Sequence, residues 1–234
     1  MIFVGIDDTD TENSPGTNQV ARAIVSEFGD AFFCERIVRH QLLFDPRVPY
    51  TSKNSCCSML VRPARAVKTA LLDLRELMEG SLQQRFQPGS DPGLCISETV
   101  PATLVDFGRR CQQVVVAQDE ARELARQHEI FLEGLGGTED GVIGALAAIG
   151  LAVTGDDGRV VQIRQQADSL VGPASVERVH LAGVDEIRSG NEILTSGTVD
   201  VGKHLRPNLR DGRIVLFVET SKRGPADWTA VRHL

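Results

Sequence analysis

An α+β fold is predicted, with a ferredoxin-like β-α-β-β-α-β domain set among further mixed α/β elements. Three observations predict it. Short β-branched runs alternate with helical stripes through residues 55–135. An all-apolar, glycine-containing stretch at 141–152 reads as a buried core helix. Strand patterns joined by Asp-Gly and Ser-Gly turns fill the remainder. Of the 234 residues, 41% are hydrophobic and 24% charged, the mix of an ordinary globular chain. The net charge of -7 excludes a protein that holds nucleic acid by bulk charge. With aromatics at only 5%, base-stacking platforms are not expected either.

In chain order, residues 2–6 read as a buried strand that ends in a cluster of acids. Val20, Ile24 and Phe28 share a helix face that stops at Gly29. A strand follows over 31–43. The bend 45–50 holds two prolines and cannot be helical. Residues 55–62 form the next strand, and Val67, Leu71, Leu74 and Met78 the next helical stripe. After a loop at 88–93 come a strand at 94–98 and a short helix within 99–110. A strand is predicted at 111–116, where Val114, Val115 and Val116 are consecutive, then a helix at 118–128 and a strand at 130–135. The β-α-β-β-α-β plan is therefore placed at 55–135. Later strands are predicted at 159–164, 177–182, 192–199 and 213–220, with Gly155-Asp156-Asp157-Gly158 as a hairpin turn.

No run of about 18 apolar residues is present, so no membrane span is expected. The first residues lack the basic region of a signal peptide. Cys34, Cys56, Cys57, Cys95 and Cys111 form no C-x-x-C pair and read as buried thiols of a cytoplasmic protein. None of His40, His128, His180, His204 and His233 has a partner at metal-ligand spacing.

Four stretches carry candidate chemistry. Asp7, Asp8 and Asp10 crowd the end of the first strand. Unit charges about 4 Å apart repel by about 1 kcal/mol in water and by more in a dry site. A divalent cation removes that penalty, and Mg²⁺ held by one or two carboxylates plus substrate phosphates is the common arrangement. In an extended chain Asp8 and Asp10 project to one side. Asx turns and caps are the structural alternative. Gly134-Leu135-Gly136-Gly137-Thr138-Glu139-Asp140-Gly141 runs into the apolar helix. Its amides, notably near Gly136, Gly137, Thr138 and Gly141, suit a phosphate tail; a turn with Thr138 or Asp140 as N-cap fits equally. Tyr50-Thr51-Ser52-Lys53-Asn54-Ser55 reads as either a substrate-orienting loop or a solvated one. Lys203-His204-Leu205-Arg206-Pro207-Asn208-Leu209-Arg210 is a basic island, an exposed loop or a clamp on a polyanion such as a nucleotide.

Val4-Gly5-Ile6-Asp7-Asp8-Thr9-Asp10, Pro46-Arg47-Val48-Pro49-Tyr50-Thr51-Ser52-Lys53 and Gly141-Val142-Ile143-Gly144-Ala145-Leu146-Ala147-Ala148-Ile149-Gly150 together resemble segments of the archaeal tRNA-isoleucine 2-agmatinylcytidine synthetases. The resemblance covers about residues 1–165. It implies a kinase-like mixed α/β catalytic domain that binds ATP and Mg²⁺, split into 1–54 and 136–234 and interrupted by the ferredoxin-like 55–135. It also implies metal and phosphate contacts at Asp7, Asp8 and Asp10. Lys53 joins them as the group that neutralises developing charge, and Thr17 is a further nucleotide contact. In Gly16-Thr17-Asn18-Gln19, Gln19 stands near the family's reactive Thr and Thr17 is offset from it. Thr51 stands where a Lys is usual, and Glu139-Asp140 interrupts a turn that tends to be basic in the family. The family's tRNA-binding OB-fold and zinc ribbon have no counterpart in the sequence.

The expectation is an ATP- and Mg²⁺-dependent enzyme acting on a small molecule. Its expected partners are nucleotide and substrate, with a homodimer allowed and tRNA not expected. Two alternatives stand beside it. One is a non-catalytic nucleotide-binding module. The other is a haloacid-dehalogenase-like phosphatase using Asp8 and Asp10, with Asp156 and Asp157 as its late acids.

Overall fold

The computed structural model describes residues 1–51, 53–65, 69–164, 170–222 and 224–233. Its elements begin β1 (Ile2–Asp7), α1 (Thr17–Ser26), β2 (Phe32–Gln41), β3 (Ser55–Pro63), α2 (Ala70–Gln84) and β4 (Gly93–Ser97). These strands stand in the order β4-β1-β3-β2 and every neighbouring pair is antiparallel. That is the β-α-β-β-α-β plan. It occupies Ile2–Ser97 rather than 55–135, a correction with a clear cause. β1 lies between β3 and β4, a long-range pairing that no local pattern announces. The predicted boundary at 54/55 falls in the connection of the β2–β3 hairpin. Segments 1–54 and 55–135 therefore share one sheet and do not form separate domains.

The sheet packs on both faces. Val4 and Ile6 meet Val20, Ile24 and Phe28 of α1 and Leu74, Met78 and Leu82 of α2. The expected stripe holds from Leu74 onward. Leu71 is exposed, and Val67 lies outside the described residues. On the opposite face lie α3 (Ala102–Cys111), α4 (Gln118–Gln127) and α5 (Gly141–Val153), with Leu104, Phe107, Leu146 and Ile149 among the buried residues. β5 (Phe131–Gly134) extends the sheet beside β4. The predicted strand at 111–116 is not formed. Cys111 ends α3, and Val114 and Val115 stay exposed in the loop to α4.

α5 is the apolar helix read from the sequence, and glycines allow its close approach. A Cβ on Gly5 of β1 would come within 2.0 Å of the Ala145 carbonyl oxygen. Gly155–Gly158 joins α5 to β6 (Arg159–Ile163), so it is a helix-to-strand turn rather than a hairpin. β6 pairs with β2 and carries the sheet into a C-terminal part with its own core around Val179, Ile187, Val199 and Leu216. There 177–182 proves helical: α6 is Val176–Leu181, its Ser175 hydroxyl accepts from the Arg178 amide, and Val176 and Val179 are buried at helical spacing. The predicted strand 192–199 divides into β9 (Glu192–Ile193) and β10 (Thr198–Asp200) around Gly197. β11 (Asn208–Arg210) and β12 (Arg213–Thr220) continue the sheet beyond β6. No described helix is long and apolar enough to cross a membrane.

A buried relay ties the α5–β6 turn to the sheet. The His40 ring nitrogens meet Asp157 Oδ1 at 2.6 Å and Ser58 Oγ at 2.8 Å, and Gln112 Nε2 donates to Asp157 Oδ2 at 3.0 Å. Ser–His–Asp is also the connectivity of a hydrolytic triad. Ser58 is 2% and His40 0% exposed, so no substrate reaches this one and its role is to join elements.

Two substitutions test these contacts by urea unfolding. Gly5→Ala should cost about 1–3 kcal/mol, because backbone must yield to backbone. Asp157→Ala should cost about 1–3 kcal/mol by leaving a buried His40 nitrogen unpaired.

Candidate functional site

The carboxyl ends of β1 and β2 open on a cavity of about 320 Å³. Its lining includes the polar positions Asp7, Asp8, Asp10, Thr17, Lys53, Ser55 and Asp140, with Gly141 and Gly144. It also includes the apolar Leu43, Val48, Pro49, Tyr50, Val114, Val115 and Val116. The valines that failed to form a strand thus serve as a wall, and Tyr50 packs against Phe44 at 4.9 Å between ring centroids.

Backbone geometry fans the acidic residues apart. Asp7 continues β1, and its carboxylate fits against α5 only because Gly144 has no side chain. A Cβ there would lie 1.7 Å from Asp7 Oδ2. Asp8 has φ 50°, the left-handed region. A non-glycine residue there costs of order 1 kcal/mol and such residues concentrate at functional sites. This turn replaces the extended run in which Asp8 and Asp10 share a side. Asp10 accepts from the Thr17 amide at 3.2 Å and the Thr17 hydroxyl at 2.8 Å through Oδ1, and from Thr51 at 2.9 Å through Oδ2. Thr9 completes the chain by donating to Thr17 Oγ1 at 3.2 Å. The offset threonine is thus the hydroxyl at the site, whereas Gln19 lines a different pocket with Pro15 and Gln87.

The negative charge is only partly offset, with Arg39 acting on Asp7 more weakly than burial and Asp8. Burial pushes the Asp7 carboxyl up to about 8, with Asp8 adding to the rise. Burial, followed by the charges of Asp91, Asp10 and Asp140, pushes Asp8 up to about 6. Among the described residues no three His, Cys, Asp or Glu side chains form a metal cage. Asp10 is turned toward Thr17 and Thr51 and so stands apart from the Asp7 and Asp8 pair. Asp7 and Asp8 remain a hard-oxygen pair that suits a Mg²⁺ held jointly with phosphate oxygens.

The glycine turn departs from expectation. Gly136, Gly137 and Thr138 do not line the cavity; Gly141 does. The Thr138 amide donates to Asp91 Oδ1, and the Gly141 amide donates to the Asp91 carbonyl at 3.0 Å. The Asp91 amide in turn donates to the Asp8 carbonyl at 3.2 Å. Asp91, which the sequence did not mark, supplies a tethered anion where a phosphate was expected. The turn therefore fixes the acidic loop instead of cradling a ligand. Neither Thr138 nor Asp140 side chain caps α5. In the 50–55 loop, Thr51 and Lys53 reach the site and Ser52 lies outside the described residues. Asp156 and Asp157 do not line the cavity, which removes the late acids a dehalogenase-like phosphatase requires. All five cysteines are buried and free, and burial pushes the Cys57 thiol up to about 12.

Fold and site define an α+β protein with an acidic, half-apolar pocket at the strand ends. No known family profile matches the chain. Among curated proteins, an uncharacterized protein of Methanocaldococcus jannaschii is 27% identical over 154 residues, 64% of this chain and 50% of its own length. Among solved structures, apo TiaS (tRNAIle2 agmatidine synthetase) matches with a TM-score of 0.53 at 22% identity, over 64% of this chain and 35% of that one. A tRNA fluorescent labeling enzyme matches with a TM-score of 0.53 at 23% identity over the same shares, and a TiaS–tRNA–ATP complex with 0.52 at 22%. The chain spans half the length of the curated relative and about a third of these structures. At such identities the likeness establishes a shared fold, and it agrees with the family resemblance of the sequence.

Stability should depend on pH through Asp7 and Asp8. Their folded carboxyls hold protons more tightly than the unfolded ones, so the cation-free chain loses stability as pH rises from about 4 to 8. Asp7→Asn should flatten the melting-temperature decline between about pH 6 and pH 8. An unchanged slope would refute the assignment.

Proposed function

We infer that the cavity binds ATP with Mg²⁺ and that the chain is an enzyme of phosphoryl transfer or ATP-dependent activation acting on a small molecule. The observation that carries this reading is one cavity with two chemistries. Carboxylates, hydroxyls and Lys53 line it together with Leu43, Val48, Tyr50 and three consecutive valines. A nucleotide calls for both chemistries, with an anionic tail and a flat apolar base. Further support comes from the shared fold, since a TiaS structure is described as an ATP complex and another as an AMPCPP–agmatine complex.

The residues take distinct roles in this reading. Asp7 and Asp8 hold the cation, which when bound supplies the positive charge that offsets phosphate oxygens. Asp10 orients the Thr17 hydroxyl at the first turn of α1, where helix amides favour phosphate. Lys53 neutralises charge that develops on the transferred group. Leu43, Val48 and Val114 pack against the base. The net charge of -7 favours a small acceptor over a nucleic acid.

Calorimetry with a non-hydrolysable ATP analogue and Mg²⁺ tests the reading. Saturable, Mg²⁺-dependent binding is expected, and absence of heat at millimolar ligand would refute it. Asp8→Asn should weaken that binding about tenfold or more, the loss of one charge-assisted contact. The same variant should melt at higher temperature without cation, because a repelled charge is gone. Thr17→Ala should reduce turnover more than nucleotide affinity, whereas Thr17→Ser should retain both.

A further inference from the structure

A second charged cluster lies beside the acidic cavity. One row of register partners crosses the sheet from Ile6 through Cys57 and Arg39 to Arg159 and Asn208. Directly opposed residues share a face, so Arg39 and Arg159 stand side by side on the face that carries α1. Like charges directly opposed destabilise a sheet. Two more arginines join them. The Val160 amide donates to the Pro207 carbonyl at 2.8 Å, which sets Arg206 of the basic island next to β6. Asn208 Nδ2 donates to the His233 carbonyl at 3.0 Å, and His233 stacks on Phe217 at 4.1 Å, which brings Arg232 to the same place.

Among the described residues no carboxylate is hydrogen-bonded to these four, although the charge of Arg39 acts on the Asp7 carboxyl nearby. Among the described residues, none of the side-chain hydrogen bonds or ion pairs satisfies Arg39, Arg159, Arg206 or Arg232, although other arginines of the chain pair with acids. Arg159 Nε is buried with no hydrogen-bond partner. Its guanidinium is pulled below the usual range by burial first and then by Arg39, Arg206 and Arg232. A buried unpaired donor amid like charge is costly unless a ligand completes it. Planar guanidinium forks match phosphate oxygens in pairs.

We propose that Arg39, Arg159, Arg206 and Arg232 form a binding site for the phosphate of a small phosphorylated molecule. The site lies at the seam of the β2–β6 pair and the C-terminal part. It sits at the same end of the sheet as the cavity, since Arg39 is two residues from the end of β2 and Ile6 adjoins Asp7. β1 and β6 are three strand spacings apart, about 14 Å. The arginines stand on the α1 face and the Asp7 carboxylate against α5, so a phosphorylated acceptor seated on the arginines reaches Asp7 around the strand ends rather than along one face. This role as acceptor seat rests on the function proposed above; the anion site rests on the arginines alone. A nucleic-acid backbone is disfavoured because the neighbouring carboxylates repel it.

The test is calorimetry on the whole chain with glycerol 3-phosphate, glycerol as the uncharged control, Mg²⁺ with a non-hydrolysable ATP analogue, and a single-stranded RNA oligonucleotide. Saturable binding of glycerol 3-phosphate but not glycerol is expected. Arg159→Gln should weaken it about tenfold or more while nucleotide affinity stays within about twofold. That variant should also melt higher without ligand, which a merely structural arginine would not produce; Arg206→Gln provides an independent variant. Absence of phosphomonoester binding overturns the site. So does nucleotide affinity that falls with both variants, or RNA binding that falls with them. Phosphomonoester binding without nucleotide binding leaves the anion site standing and overturns the acceptor role.

Discussion

Negative charge at the end of β1, only partly offset, is the constraint on which the site depends. Asp7 and Asp8 are held in a partly buried corner with Asp10, Asp91 and Asp140 nearby, and of the two described cations that line the cavity Arg47 is paired with Asp45, which leaves Lys53. Such an arrangement persists because the scaffold around it is overdetermined. β1 is hydrogen-bonded on both sides, to β3 and β4, and α5 lies across it. The core supplies the free energy that the corner costs.

Glycines make that geometry sterically accessible. Gly144 leaves room for the Asp7 carboxylate, and Gly5 lets α5 settle onto β1. The loop at Asp91 then links the Asp8 carbonyl to the start of α5 through backbone hydrogen bonds. A ligand arriving at the cavity finds its anionic end already organised, so less ordering entropy is lost on binding than a mobile loop would require.

Beside its many surface ion pairs, the molecule keeps two groups of like charge apart. Carboxylates gather at β1 and unpaired arginines gather across β2, β6 and the C-terminal part, although Arg and Asp are mixed along the sequence. Strand register performs the sorting. Arg39 and Arg159 are 120 residues apart in the chain and directly opposed in the sheet. The two clusters are of opposite sign and sit near one end of one sheet, which gives that end a dipolar character.

The sequence by itself determined the α+β class, most helices and strands, the buried α5 and the acidic end of β1. These are encoded in local periodicity, and a period of 3.6 or 2 is read without knowing partners. It also marked Thr17, Lys53 and the basic island. Only the tertiary structure decided where the β-α-β-β-α-β unit lies, because inserting β1 between β3 and β4 is a long-range pairing. It likewise decided that Val114 and Val115 form a wall instead of a strand, that Asp91 occupies the glycine turn, and that Asp10 serves threonines. Each of these outcomes depends on which distant group arrives first at a hydrogen-bonding atom, and sequence spacing carries no record of that.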